Sequence, residues 1–274
     1  MESVATKTII ITGGSSGIGA AAARTLASMG AKVIITGRSE ATRTLAEEIG
    51  CEYYIVDFTR FSEIRKFATT VLEKYPRIDV LANNVGGILK ERYLTPDGME
   101  QTLQVNHLSG FLLTNLLRER LEASQGIVIN TSSMANRAGN IRFNDLQAAK
   151  SYEPMRAYGT TKLMNILHAM EISERFKGVK AASFHPGVVR TGFAREGKGV
   201  LRWMYESVAG KIFMISPEQG ADTLIWLITT TGWQSGGYFY KRRAGIKNRQ
   251  ANNRYAKTLW EVSEELTSGE DAGK

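Results

Sequence analysis

Only one of the 274 residues is a cysteine, Cys51, so no disulfide can form within the chain. No basic cluster surrounds it that would favour a thiolate, and the apolar Tyr53 to Val56 just beyond it read as a strand. Cys51 is therefore expected to be a buried or half-buried structural thiol. Histidine is almost as scarce: His107, His168 and His185 lie far apart and lack any paired ligand spacing, which argues against a metal site. No apolar run approaches the ~18 residues needed to span a bilayer, and no basic, apolar, small-residue leader precedes the first strand near Lys7. Proline numbers five, and no Pro/Gly/Ser-rich linker divides the chain. These absences lead to the expectation of one soluble, cytoplasmic domain over 1–274 without a membrane span.

Glycine, in contrast, is plentiful at 27 residues, and the hydrophobic content of 43% is enough for a substantial core. The net charge is +8, with Lys241, Arg242, Arg243, Lys247 and Arg249 clustered in one segment. No nucleic-acid recognition motif accompanies the cluster, so it reads as solvated surface; an anionic cofactor is also drawn to a basic protein. Short apolar, β-branched runs recur at Ile9 to Ile11, Val33 to Ile35, Tyr53 to Val56, Val80 to Ala82, Ile127 to Ile129 and Val179 to Phe184. Helical segments fall between or after them, near 18–29, 40–49, 60–74, 98–120, 154–177 and 217–229. Continuously apolar strands alternating with helices predict a doubly wound α/β sandwich of the Rossmann type, its parallel sheet buried on both faces. In such a sheet ligands bind beyond the carboxyl ends of the strands.

The suggestive residues gather at those ends. Thr12-Gly13-Gly14-Ser15-Ser16-Gly17-Ile18-Gly19 follows the first apolar run and leads into an Ala-rich helix. This strand, glycine turn and helix would offer free N–H groups and a helix dipole to a phosphate, although the spacing departs from G-x-G-x-x-G. After the second strand comes Gly37-Arg38-Ser39, where an acid that would bind a ribose 2′-hydroxyl is missing. A guanidinium there favours a 2′-phosphate, and hence NADP(H), with NAD(H) as the alternative. Tyr158 and Lys162 are spaced i, i+4 on a predicted helix, about 6 Å apart along the axis and about 40° around it, so they share a face. An ammonium so placed would stabilise a phenolate and make Tyr158 a general acid/base.

Taken together, Thr12 to Gly19, Asn83-Asn84-Val85-Gly86, Asn106, Ser132-Ser133, Tyr158 with Lys162, and Pro186-Gly187 resemble the short-chain dehydrogenase/reductase family, in the family's order. The resemblance implies that Tyr158 exchanges a proton with the substrate oxygen, Ser133 hydrogen-bonds that oxygen, and Lys162 holds the nicotinamide ribose and tunes Tyr158. Asn106 would position a water in the proton relay. It implies a cofactor-binding set of Gly13, Ser15, Ser16, Gly17, Ile18, Gly19, Arg38, Ser39, Asp57, Phe58, Asn83, Gly86, Tyr158, Lys162, Pro186, Gly187, Val188 and Thr191, with Asp57 at the adenine ring. Ser132 reads as a structural hydroxyl and Ser109 as a helix-surface group.

The chain departs from the family pattern at Val85, where alanine is usual, and at Ser16, where many NADP-using relatives carry a basic residue. Val105-Asn106-His107-Leu108, Phe143 to Leu146, Tyr158 to Leu163 with Asn165, and Leu259 to Leu266 bring it nearest the retinol dehydrogenase and protochlorophyllide reductase-like branch. Ser133 and Tyr158 stand 25 residues apart, leaving an extra loop over 137–151 that could border the site or alter subunit packing. The apolar segment 192–215 is a candidate substrate lid suited to a lipophilic carbonyl or alcohol, and 241–274 is a C-terminal extension. Alcohol/carbonyl interconversion is the leading expectation, with C=C reduction of an enone-type substrate as an alternative on the same site. A cofactor-binding sensor or scaffold is the non-enzymatic one. A homodimer or homotetramer is compatible with either.

Overall fold

Thr8–Ile11, the first strand (β1), is buried along its whole length because neighbours cover it on both edges and helices on both faces. The computed structural model describes residues 3–189 and 215–269. Seven further strands follow: β2 Lys32–Gly37, β3 Glu52–Ile55, β4 Val80–Asn83, β5 Ile127–Thr131, β6 Lys180–His185, β7 Gly237–Tyr240 and β8 Arg243–Ala244. Their order in the sheet is β3-β2-β1-β4-β5-β6-β7-β8, parallel except for the closing β7–β8 pair. Chain direction across the sheet reverses between β1 and β4, so their carboxyl ends frame the crevice where a doubly wound sheet binds ligands.

Period-two alternation divides the core. Ile10, Ile34, Leu81 and Val128 enter one hydrophobic cluster, while Ile9, Ile11, Val33, Ile35, Val80 and Ile129 enter the other. Helices α1 Gly17–Ser28, α2 Glu40–Ile49 and, late in the chain, α7 Pro217–Thr229 cover the second face. The first face is covered by α3 Phe61–Lys74, α4 over 101–116, α6 Pro154–Arg175 and α8 Asn253–Thr267, with the short α5 Arg118–Ala123 after α4. Local chemistry sets several boundaries. Ser216 and Gln219 form a reciprocal capping box with Pro217 at the first helical position, and Gly30, at φ +84°, closes the turn after α1.

Three features depart from the sequence reading. The helix expected near 98–120 is split at Leu117, and inside α4 the five residues Gln104–Leu108 form a π turn. Ser109, read as a helix-surface group, is fully buried and donates to the carbonyl of Phe58 at 2.7 Å. The C-terminal stretch forms β7, β8 and α8, and α8 seats Trp260 against Phe111, Phe176, His168 and the Arg175 guanidinium. Cys51 is half-buried, as expected, and burial pushes its thiol up to about 11. Of the basic cluster, Lys241 and Arg242 form the hairpin turn between β7 and β8, and Arg242 pairs with Asp222.

Truncating Trp260, which is 2% exposed, empties the centre of this aromatic cluster. Trp260→Ala is expected to lower unfolding stability by about 3–5 kcal/mol, read from the urea midpoint at unchanged m-value.

Candidate active site

The turn between β1 and α1 is shaped by contacts that exclude side chains. Gly13 and Gly17 take positive φ, +63° and +53°. A Cβ on Gly19 would collide with the carbonyl of Gly13 and approach Asn84 Nδ2 to 2.7 Å. Asn84 also locks the turn from β4, with Nδ2 donating to the Thr12 and Gly13 carbonyls at 3.0 and 3.3 Å. Ser16 caps α1 in position only, since its side chain makes no cap hydrogen bond, so the first-turn N–H groups keep no side-chain partner there. The turn therefore fits an anionic group such as a pyrophosphate. Ser15 lies behind it against Gly37, and Ile18 packs towards Gly220 on α7.

Arg38 and Ser39 follow β2 and are exposed; the Arg38 guanidinium forms no hydrogen bond or ion pair with any described residue. Asp57 is engaged in its own turn, Oδ1 accepting from the Thr59 N–H and hydroxyl at 2.9 and 2.8 Å. Phe58 places its side chain in the core. Asn83 likewise turns inward: its amide donates to Thr114 Oγ1 at 2.9 Å and to Asn130 Oδ1 at 3.0 Å. Gly86 comes to the cleft, where a Cβ would stand 2.9 Å from Asn106 Oδ1 and 3.1 Å from Lys162 Nζ.

Asn106 sits in the π turn and grips Gly87 at both ends, accepting from its N–H at 2.7 Å and donating to its carbonyl at 2.9 Å. It also donates to Thr161 Oγ1 at 3.1 Å. Its own carbonyl accepts from Asn165 Nδ2 at 3.0 Å. π turns interrupt the regular helical ladder and concentrate at functional sites.

At the end of β5 the two serines divide. Ser132 is buried and donates to the Lys162 carbonyl at 2.7 Å, the structural role expected of it. Ser133 is half-buried and caps the short 3-10 helix Met134–Ala138. That segment packs directly on the backbone of Gly159, next to Tyr158. Tyr158 and Lys162 are both buried on α6, with Nζ 5.4 Å from the phenol ring centroid. The ammonium donates to the Thr131 carbonyl at 3.1 Å, and burial lowers its pKa to about 8.

Sequence reasoning missed Tyr238. From β7 its hydroxyl accepts from Asn136 Nδ2 at 3.2 Å and reaches the Ser133 carbonyl at 3.3 Å. Burial above all, with Tyr158 adding to it, pushes the Tyr238 phenol up. Nothing in Gly237–Tyr240 marked it, because its position depends on β7 pairing with β6.

Pro186, Gly187 and Val188 follow β6, with Gly187 at φ +98° and its N–H on His185 Nδ1 at 3.2 Å. Burial lowers His185 to about 4. Thr191 and nearly all of the proposed lid over 192–215 lie outside the described residues. The loop over 137–151 is tied to the C-terminal segment, Asn248 Nδ2 donating to the carbonyls of Asn136 and Gly139 at 2.9 and 2.8 Å. No helix among the described residues is long and apolar enough to cross a membrane.

The sequence matches the family model described as short chain dehydrogenase over residues 7–198. A protein of Streptomyces sp. (strain C5), named provisionally as a daunorubicin C-13 ketoreductase, is 41% identical over 268 residues, covering 94% of this chain and 91% of that one. Retinol dehydrogenase 11 of Homo sapiens is 36% identical over 274 residues, covering 95% and 85%. The crystal structure of an uncharacterized protein from Mycobacterium paratuberculosis superposes with a TM-score of 0.80 at 29% identity, covering 98% of this chain and 96% of that one.

The buried ammonium has a stability consequence. Because its folded pKa of about 8 lies below the unfolded value of 10.5, the unfolded chain binds more protons between those values and stability rises with pH across them. Lys162→Met is expected to be more stable than the parent at pH 7 by up to about 3 kcal/mol, the difference shrinking as pH rises from 8 to 10.5. Denaturant unfolding across that range measures it, and a less stable variant at pH 7 would contradict it.

Proposed function

Starting from a chain that belongs to the short-chain dehydrogenase/reductase family, in its retinol dehydrogenase-like branch, we propose that it interconverts an alcohol and a carbonyl on a lipophilic substrate with NADP(H). The observation that carries this reading is the buried Tyr158–Lys162 pair on α6, its ammonium on the Thr131 carbonyl at the carboxyl end of β5, with Ser133 two residues further on. When bound, the nicotinamide supplies the hydride to the carbonyl carbon or accepts it back. Tyr158 gives its phenolic proton to the substrate oxygen in reduction and takes it from the alcohol in oxidation. Ser133 donates a hydrogen bond to the same oxygen and favours the charge that builds there. Lys162 keeps a positive charge next to the phenol, and its remaining N–H groups would hold the ribose. Asn106 holds the Gly87 backbone, and by the family resemblance it would position a water in the proton relay.

The glycine turn, Asp57 and Arg38 would hold the adenine half of the cofactor. Arg38 favours a 2′-phosphate, because an exposed guanidinium with no partner among the described residues can form two parallel charge-assisted bonds to it. The relatives' names, one for a ketoreductase and one for a retinol dehydrogenase, support the alcohol/carbonyl reading.

Tyr158→Phe is expected to lower turnover by about 10²–10⁴-fold with NADPH affinity nearly unchanged. The assay follows nicotinamide absorbance with retinaldehyde and a panel of aromatic and aliphatic ketones; full activity in the variant would remove the proposed acid/base. Arg38→Ala should raise the KM for NADPH by about tenfold or more and leave that for NADH nearly unchanged. Equal changes for both cofactors would defeat the 2′-phosphate assignment.

A further inference from the structure

Three segments far apart in sequence meet behind Lys162: the π turn of α4, the α6 turn holding Asn165, and α8. Asn165 is buried, and its Nδ2 donates to two backbone carbonyls, Thr131 and Asn106, both at 3.0 Å. Carbonyl oxygens only accept, so the amide nitrogen must face them and Oδ1 must face the other way, to His107 Nδ1 at 3.3 Å. That nitrogen must then carry the proton, and His107 Nε2 is left to accept from the Ser263 hydroxyl at 3.1 Å. One consistent donor-to-acceptor direction thus runs from Ser263 on α8 through His107 to Asn165, and ends on the carbonyl that also receives the Lys162 ammonium. Burial lowers His107 to about 4, so at neutral pH the imidazole is neutral and its one proton is the one Asn165 requires on Nδ1.

We propose that Asn165, oriented by His107 and Ser263, is a positioning residue for the Tyr158–Lys162 pair. It holds the Thr131 and Asn106 carbonyls in place and thereby fixes where the ammonium stands. This rests on the reading of Lys162 given above. The carbonyl of Thr131 sits on the last residue of β5 and is shared by two donors, so it aims correctly at Nζ only while Asn165 holds its other side. Titratable groups face Lys162 from two elements, Tyr158 on its own helix and His107 on α4, and no carboxylate ion pair reaches it among the described residues.

The three histidines make the test direct. His168 Nδ1 lies 3.2 Å from the Asn130 amide nitrogen and His185 Nδ1 accepts from the Gly187 N–H, so both carry their proton on Nε2. Nitrogen-15 NMR of the cofactor-free protein at neutral pH should show one histidine protonated on Nδ1, His107, and two on Nε2; His107 protonated on Nε2 would overturn the proposal. In lysine-labelled protein the Lys162 signal, identified by its loss in Lys162→Met, should titrate about one pH unit lower in Asn165→Ala than in the parent, a ~10-fold change in its acidity. An unmoved or raised midpoint in the folded variant would overturn the proposal. If Asn165→Ala does not fold, Ser263→Ala decides: the midpoint should fall by a smaller amount and return in Ser263→Thr, and an unchanged midpoint overturns the idea. Turnover of Tyr158→Phe is measured in parallel. Activity retained there defeats the proposed function, whereas its loss together with an unmoved Lys162 midpoint defeats only the positioning role.

Discussion

A buried ammonium donating to one backbone carbonyl is the interaction around which this molecule is organised. Placing Lys162 out of water carries a cost that its hydrogen bond to Thr131 only partly offsets, as its lowered pKa shows. The surrounding structure offsets part of that cost with buried polar partners that meet at the carboxyl end of β5. Ser132 fixes the lysine's own carbonyl, and Gly86 leaves the space that a larger residue would close against Nζ. The same constraint explains why the site is held by main-chain atoms as much as by side chains.

Asparagines connect these parts. Asn83 and Asn84 are consecutive and therefore point to opposite sides of the sheet, so one reaches Thr114 and Asn130 within the core while the other reaches the glycine turn. Asn130 in turn donates to the Asn165 carbonyl at 3.1 Å, which ties β5 to α6 below the catalytic pair. An amide offers donors and acceptors without a net charge, so a chain of them can cross a buried layer, each member hydrogen-bonded through at least its amide nitrogen. Charged side chains could not do so at a comparable cost.

Much of the fold was legible in the sequence because its signals are local. Ile9 to Ile11 and Ile127 to Ile129 are continuously apolar, and their neighbours are buried on both faces as such runs require. The glycine turn announced itself because Gly13, Gly17 and Gly19 meet backbone demands that other residues satisfy poorly. Tyr158 and Lys162 were legible through helical spacing and resemblance. Ser109 was misread because its depth is set by α4 passing over Phe58, a long-range contact with no local mark. The inward direction of the Asn83 side chain was not legible either, because it depends on which way β4 is turned. Tyr238 escaped notice for the same reason, and Leu259 to Leu266 were read only as a point of resemblance, since the packing of α8 is set by what lies opposite it.

The π turn at Gln104–Leu108 does more than place the buried Asn106 and His107. One additional residue in a turn rotates everything after it by roughly 100° relative to a continuous α-helix. The segment before the turn packs on α6, and the segment after it packs on α3. The turn therefore works as a phase shift along a single helix, letting one length of chain address two neighbours that a regular helix of the same sequence could not face together. A deletion of one residue there would restore the regular ladder and send the two halves out of register with the layer they join.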